Sequence, residues 1–137
     1  MADQVFPKTG GRINILLVED DPVAQRIVTR SLENVTCEVD IAGDGVEAID
    51  KLLEKDFDLV LMDIRLPNLD GFELIRHIRE KEESTQKHLP IVAMTGSALP
   101  TDYDRAMEAG ADTYIIKPVL PEMITEIVRQ HGPKRTS

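Results

Sequence analysis

The sequence predicts an α/β fold, a parallel sheet with crossover helices, and three observations carry that prediction. Short β-branched runs alternate with amphipathic stretches five times along the chain. One run, Leu59-Val60-Leu61-Met62, is apolar without a break, as expected of a central strand covered on both faces. Residues suited to start a helix (Asp21 with Pro22, Asp70 with Glu73) or to stop one (Gly110, Gly132) fall between the runs.

Taken in order, the first strand is Ile13-Asn14-Ile15-Leu16-Leu17-Val18. Asp21 then caps a helix with Pro22 at its first position, and Val23, Ile27 and Leu32 share one side. The second strand lies near Glu38 to Ala42. After the turn Gly43-Asp44-Gly45 comes a helix whose expected buried stripe is Val46, Ile49, Leu52 and Leu53. Leu59 to Met62 is the third strand and the middle of the sheet. Asp70 caps the third helix with Glu73 closing a capping box, and Phe72, Ile75 and Ile78 point inward. The polar stretch Lys81 to His88 reads as a flexible exit. Pro90 to Met94 is the fourth strand. The helix after it starts at Thr101 or Asp102, carries a thin stripe of Tyr103, Ala106 and Met107, and stops at Gly110. Thr113 to Ile116 is the fifth strand. The last helix begins near Pro121, uses Met123, Ile124, Ile127 and Val128, and ends at Gly132.

At 137 residues the chain has the size of one domain, and no repeat, linker or second domain is visible. The expected division is a flexible N-terminal tail over 1–12, a domain over 13–131 and a C-terminal tail over 132–137. Apolar residues make up 42% and charged residues 30%, a globular mixture. Sixteen basic against 25 acidic residues give a net charge of −9, which repels a phosphate backbone, so no direct contact with nucleic acid is expected. No apolar run approaches the roughly 20 residues that span a bilayer. The first dozen residues lack the apolar core of a secretory signal, so a cytoplasmic location with no membrane association is expected. The lone Cys37, in a strand position, reads as a small structural residue.

Ligands of open parallel sheets bind outside the carboxyl ends of the strands. There the first strand ends in Glu19-Asp20, the third in Asp63, the fourth in Thr95 and the fifth in Lys117. Taken singly, each has a plain structural explanation: acids cap helices, hydroxyls end strands, lysines snorkel to solvent. Together they are three acids, a hydroxyl and an ammonium on one edge. Carboxylates roughly 5 Å apart repel by about 3 kcal/mol per pair at an effective dielectric of 20. Such a cluster needs protons or a cation, and oxygen ligands without His or Cys favour a hard ion such as Mg2+. A phosphoryl group on Asp63 gives Thr95 an oxygen to bond and Lys117 a charge to hold.

The segments Leu17-Val18-Glu19-Asp20-Asp21, Leu61-Met62-Asp63-Ile64-Arg65-Leu66-Pro67, Asp70-Gly71, Met94-Thr95-Gly96, Ala109-Gly110-Ala111-Asp112 and Ile116-Lys117-Pro118 resemble the receiver domains of two-component response regulators, over about Ile13 to Val128. The resemblance implies a flavodoxin-like, doubly wound, five-stranded parallel sheet of order 2-1-3-4-5 with five helices. It implies that Asp63 is the phosphoacceptor, that Asp20 binds Mg2+ directly and Glu19 through water, and that Asp63 and the backbone carbonyl of Arg65 complete the metal site. Thr95 and Lys117 hold the phosphoryl oxygens, and Thr95 with Tyr114 forms the switch. The Lys117-Pro118 bond is often cis in this family. Arg65 and Ser97 stand where side chains tune access of water to the phosphoryl group, and Arg65 is expected to shield it in part. Gly96 leaves room for a partner's phosphohistidine. His77, His88 and His131 share no face or metal spacing, so the donor imidazole is expected from another protein, a histidine kinase or histidine phosphotransfer domain docking near the first helix.

Two other classes compete. A phosphatase of the haloacid dehalogenase type, like a toprim-type nuclease, wants a second acid two residues after the nucleophile, where Arg65 stands. A binding module with the same fold but no phosphorylation lacks a reason to keep Glu19, Asp20, Asp63, Thr95 and Lys117 together. The expected function is therefore phosphoacceptor signalling rather than turnover of other substrates. With no output domain after Val128, the consequence is expected in a downstream protein partner. A stand-alone regulator and a fragment of a hybrid kinase or larger regulator both remain open, and no apolar patch in the sequence demands dimerisation.

Overall fold

The structure is a computed structural model that describes residues 12–66, 70–85, 87–96 and 99–131. Five strands, β1 (Ile13–Val18), β2 (Cys37–Ala42), β3 (Leu59–Asp63), β4 (Ile91–Thr95) and β5 (Thr113–Ile116), alternate with α1 (Pro22–Ser31), α2 (Gly45–Glu54), α3 (Gly71–Thr85), α4 (Pro100–Ala109) and α5 (Pro121–His131). The strands form one parallel sheet of order β2-β1-β3-β4-β5, the implied topology. β3 is buried at every residue, and its unbroken apolar run follows from helices on both faces.

Alternating strand residues feed two cores. On one face Ile15, Leu17, Leu61 and Met94 meet Val28 of α1 and Ile124 and Val128 of α5. On the other, Leu16, Val60, Met62 and Ala93 meet Ala48 of α2, Phe72, Leu74 and Ile75 of α3 and Ala106 of α4. None of the described helices is long and apolar enough to cross a membrane.

Several expectations need correction. In α1 the buried positions are Val28 and Ser31, followed by Leu32. Val23 and Ile27 lie about one residue's rotation away and face solvent, Val23 being 59% exposed. In α2 the small residues Gly45 and Ala48 are buried while Ile49 and Leu52 pack half-buried beside them, so Val46 and Leu53 turn outward. Lys81 to Thr85 extends α3, because good helix formers there continue the helix with their charges in water.

The exit beyond α3 is also tied down. Arg79 donates to Gly110 O, Leu89 O, Asp112 and Glu82, each at 2.8 Å. α4 starts at Pro100, with its N-cap Leu99 making no side-chain capping bond. Its buried face is Asp102, Ala106 and Ala109 rather than Tyr103. Gly110 ends it at φ +120, where a Cβ would also meet Arg79 Cγ at 2.6 Å. Before α3, Asp70 Oδ1 accepts from Phe72 N–H at 2.8 Å, and Gly71 packs so close to Ile64 that a Cβ would lie 2.5 Å from its Cα. The expected tails, Ser97 and Gly132 lie outside the described residues, apart from exposed Arg12, which donates to Cys37 O at 3.2 Å. Burial pushes the Cys37 thiol above its usual pKa, against Arg12's opposing charge, which agrees with a structural role.

Candidate functional site

Parallel register brings the strand ends level. Val18 pairs with Met62, Asp63 with Met94 and Thr95 with Ile116, so the residues that follow β1, β3, β4 and β5 emerge side by side. The backbone keeps them there beyond the strands: Glu19 N–H donates to Ala42 O at 2.9 Å, Ile64 N–H to Met94 O at 3.1 Å and Lys117 N–H to Thr95 O at 2.7 Å. Lys117 precedes a cis bond to Pro118.

Glu19, Asp20 and Asp63 each present one carboxylate oxygen, and the three oxygens lie within 4.8 Å of one another. Glu19, Asp63 and Thr95 are buried and Asp20 is exposed. Lys117 Nζ reaches across the group, 2.5 Å from Glu19 Oε1 and 2.9 Å from Asp63 Oδ2. Asp63 Oδ1 accepts the Arg65 backbone N–H at 2.8 Å, and Glu19 Oε2 accepts that of Asp21 at 3.2 Å. Asp21 also caps α1 through Ala24 N–H, as expected.

Burial pushes the Glu19 pKa up, an effect that its bonds to Lys117 and Asp21 only partly offset. Burial alone pulls Lys117 down, but its hydrogen bonds to Glu19 and Asp63 outweigh that and hold it above its ordinary value. The ammonium therefore stays charged between two acids. Three carboxylates still face one ammonium, and that imbalance, with oxygen-only donors at short range, fits a hard divalent cation.

Tyr114 is half-buried on β5, with its hydroxyl hydrogen-bonded to the Thr95 side chain and its ring edge-on to Tyr103 at 5.5 Å. Burial raises the phenol's pKa, and the bond to Thr95 lowers it in part. The Arg65 guanidinium does not lie among the carboxylates. It donates to Asp102 Oδ2 at 2.8 Å, and Asp102 is 3% exposed on α4. The sequence offered Asp102 only as a candidate start of the fourth helix, although its helical spacing with Ala106 and Ala109 puts it on the buried face.

The histidines are arranged differently from expectation. His77, His88 and His131 border one cavity of about 900 Å3 that also touches Leu52, Phe57 and Leu89. Helix ends and the loop before β4 meet there, at the edge opposite the acidic cluster, so residues far apart in sequence share a wall. His88 is engaged structurally, its Nε2 2.6 Å from Asp112 Oδ1.

A family model described as the response regulator receiver domain matches residues 15–129. The protein called histidine kinase 1 of Arabidopsis thaliana is 34% identical over 140 residues, which cover 78% of this chain and 12% of that protein. The chain spans half or less of the length of the curated relatives it matches. Among solved structures, the receiver domain of the sensor histidine kinase PA1611 of Pseudomonas aeruginosa, with a magnesium ion in its active-site cleft, superposes with a TM-score of 0.78 at 34% identity. That match covers 88% of this chain and 98% of the other. A chain of the Saccharomyces cerevisiae co-crystal of the histidine phosphotransfer protein Ypd1 with the receiver domain of Ssk1 superposes at 0.79 with 31% identity. It covers 93% of this chain and 91% of the other.

Proposed function

This chain belongs to the response regulator receiver domain family, and from that premise we propose that it takes a phosphoryl group from a phosphohistidine onto Asp63. The observation that carries the reading is the Lys117 ammonium held between Asp63 and Glu19 beside three converging carboxylate oxygens. An Asp63 oxygen attacks the phosphorus. The new P–O bond forms as the donor's P–N bond breaks, and the electron pair leaves on the imidazole nitrogen, which takes up a proton. Lys117 stays charged and is already in contact with the attacking carboxylate, so no slow reorientation precedes the charge that the transfer brings. Thr95, one strand over, supplies a hydroxyl to a phosphoryl oxygen and thereby couples the acceptor to Tyr114.

Glu19, Asp20, Asp63 and the backbone carbonyl of Arg65 would hold Mg2+. When bound, it supplies positive charge that screens the acids from each other and offsets the phosphoryl oxygens. The chain catalyses only its own phosphoryl transfer and its own dephosphorylation, in which water attacks the phosphorus and the P–O bond breaks back to the Asp63 carboxylate. The donor is a histidine kinase or histidine phosphotransfer domain, as the pairing of Ypd1 with the Ssk1 receiver suggests. Tyr103, edge-on to Tyr114, and Ile116, paired with Thr95 in the sheet, face solvent beside the Thr95–Tyr114 pair and, with exposed Leu99 and Leu120, offer a downstream protein partner apolar surface.

Incubation with magnesium and acetyl phosphate, followed by intact mass measurement, tests the reading. One phosphoryl group should add to the wild type and none to Asp63→Asn or to protein in EDTA. A wild type that never gains the mass, or an Asp63→Asn that does, ends the assignment.

A further inference from the structure

Asp102 is a buried acid that the phosphoacceptor reading leaves unused. Its carboxylate, 4% exposed in the first turn of α4, receives the Arg65 guanidinium at 2.8 Å, while the Arg65 side chain itself is 60% exposed. The backbone N–H of the same arginine donates to Asp63 Oδ1. One residue thus grips the acceptor by its main chain and α4 by its side chain. The grip matters to α4 because its start is weakly held: Asp21 and Asp44 cap α1 and α2 through their side chains, whereas Leu99 gives α4 no such bond.

We propose that Asp102 is a positioning residue that parks the Arg65 guanidinium away from Asp63, and that a phosphoryl group on Asp63 draws the guanidinium off and so releases the first turn of α4. The inference rests on Asp63 being the phosphoacceptor. The guanidinium chooses between two anions. Asp102 offers it a carboxylate of single charge, and a phosphoryl group offers nearly twice the charge with three oxygens in a geometry that suits a two-pronged contact. Because Arg65 lies largely in solvent, moving it requires no repacking. What it leaves behind is a carboxylate enclosed by protein, which is costly to keep uncompensated. The relief open to it is for that first turn, which the Leu99 side chain does not cap, to swing Asp102 into water. Tyr114 packs edge-on against Tyr103, the neighbour of Asp102 on α4, and its hydroxyl bonds Thr95. Loss of the clasp therefore reaches the aromatic pair Tyr103–Tyr114 as well. In reverse, the stronger the hold of Asp102, the less time Arg65 spends covering the phosphoryl group against water.

The test compares wild type, Asp102→Asn, Arg65→Ala and the double variant. Each is loaded with acetyl phosphate and magnesium, and loss of the phosphoryl group is followed by mass. Asp102→Asn should lengthen the half-life about threefold to tenfold, the net weight of one hydrogen bond whose arginine lies largely in solvent, and the gain should vanish when Arg65 is Ala. No lengthening, or equal lengthening in both backgrounds, overturns the proposal. A second comparison needs no phosphoryl group. In the unmodified proteins, Arg65→Ala should speed amide exchange at Asp102 and Tyr103, whose N–H groups both bond Leu99 O, by about tenfold while α5 is unaffected. Unchanged exchange there overturns the clasp even if Asp63 accepts phosphate. Faster exchange in a protein that never gains the phosphoryl mass would sink the acceptor reading and keep the clasp.

Discussion

The ammonium of Lys117 lies 2.9 Å from Oδ2 of Asp63 and bridges it to Glu19, which is 98 residues away from Lys117 in sequence. Before any metal or phosphoryl group arrives, the lysine is the cation that lets these acids sit together.

Replacing Lys117 with Met should therefore act in two directions. The metal-free protein should lose about 2 kcal/mol, because two buried acids lose a charged hydrogen-bond donor. Magnesium should return more stability to the variant than to the wild type, while phosphoryl uptake falls by at least about a hundredfold. Thermal melts with and without magnesium, beside the mass assay, check both. Equal stabilisation of the two proteins by the metal would contradict the role given to Lys117.

Glu19 makes metal binding sensitive to acid. Burial, ahead of the opposing bonds from Lys117 and Asp21, holds its pKa above the ordinary 4.5. Its protonated form is therefore favoured by folding: the metal-free protein gains stability from Glu19 below 4.5 and loses it as pH rises through the raised folded-state value. Metal binding runs the other way, since the carboxylate must shed its proton to hold a cation. Magnesium titrations stepped downward from neutral pH should show affinity falling while still above 4.5. An affinity that stays flat until 4.5 is reached would show that Glu19 does not report on the metal.

Two glycines near the acceptor should respond oppositely to a methyl group. At Gly71 the new Cβ would press on the Ile64 backbone, directly after Asp63, so Gly71→Ala should cost about 3 kcal/mol and slow phosphoryl uptake. At Gly96, one residue past Thr95, a Cβ meets nothing among the described residues within 4 Å, so Gly96→Ala should change stability by under about 0.5 kcal/mol. Any effect of Gly96→Ala should appear with a protein phosphodonor and not with acetyl phosphate. Chemical denaturation and the two donors side by side provide the measurement.

The strands were legible because runs such as Leu59 to Met62 carry their burial in composition. Their carboxyl ends were legible because parallel topology forces them onto one edge, which is how Glu19, Asp63 and Lys117 could be grouped across such distances. The inward faces of α1 and α2 were legible only in part: Leu32, Ile49 and Leu52 pack inward as expected, whereas Val23, Ile27, Val46 and Leu53 face solvent. Large apolar residues dominate a periodic pattern, while Ser31 in α1 and Gly45 and Ala48 in α2 are buried by being small enough for a close approach. The pairing of Arg65 with Asp102 was out of reach, since 37 residues separate them and neither signals the other locally. The shared cavity of the three histidines escaped for the same reason: it is made by helix ends and loops that no periodicity relates.

Arg79 gives the two ends of α4 unequal mechanical roles. Its side chain pins Gly110 at the close of the helix and Asp112 just beyond, while the opening turn receives no side-chain capping bond from Leu99 and leans on an arginine largely in solvent. Under the proposed release, α4 would act as a lever with its fulcrum at Gly110. A displacement too small to disturb the sheet would then be magnified along the helix and delivered at Leu99 and Tyr103, on the surface proposed for a partner.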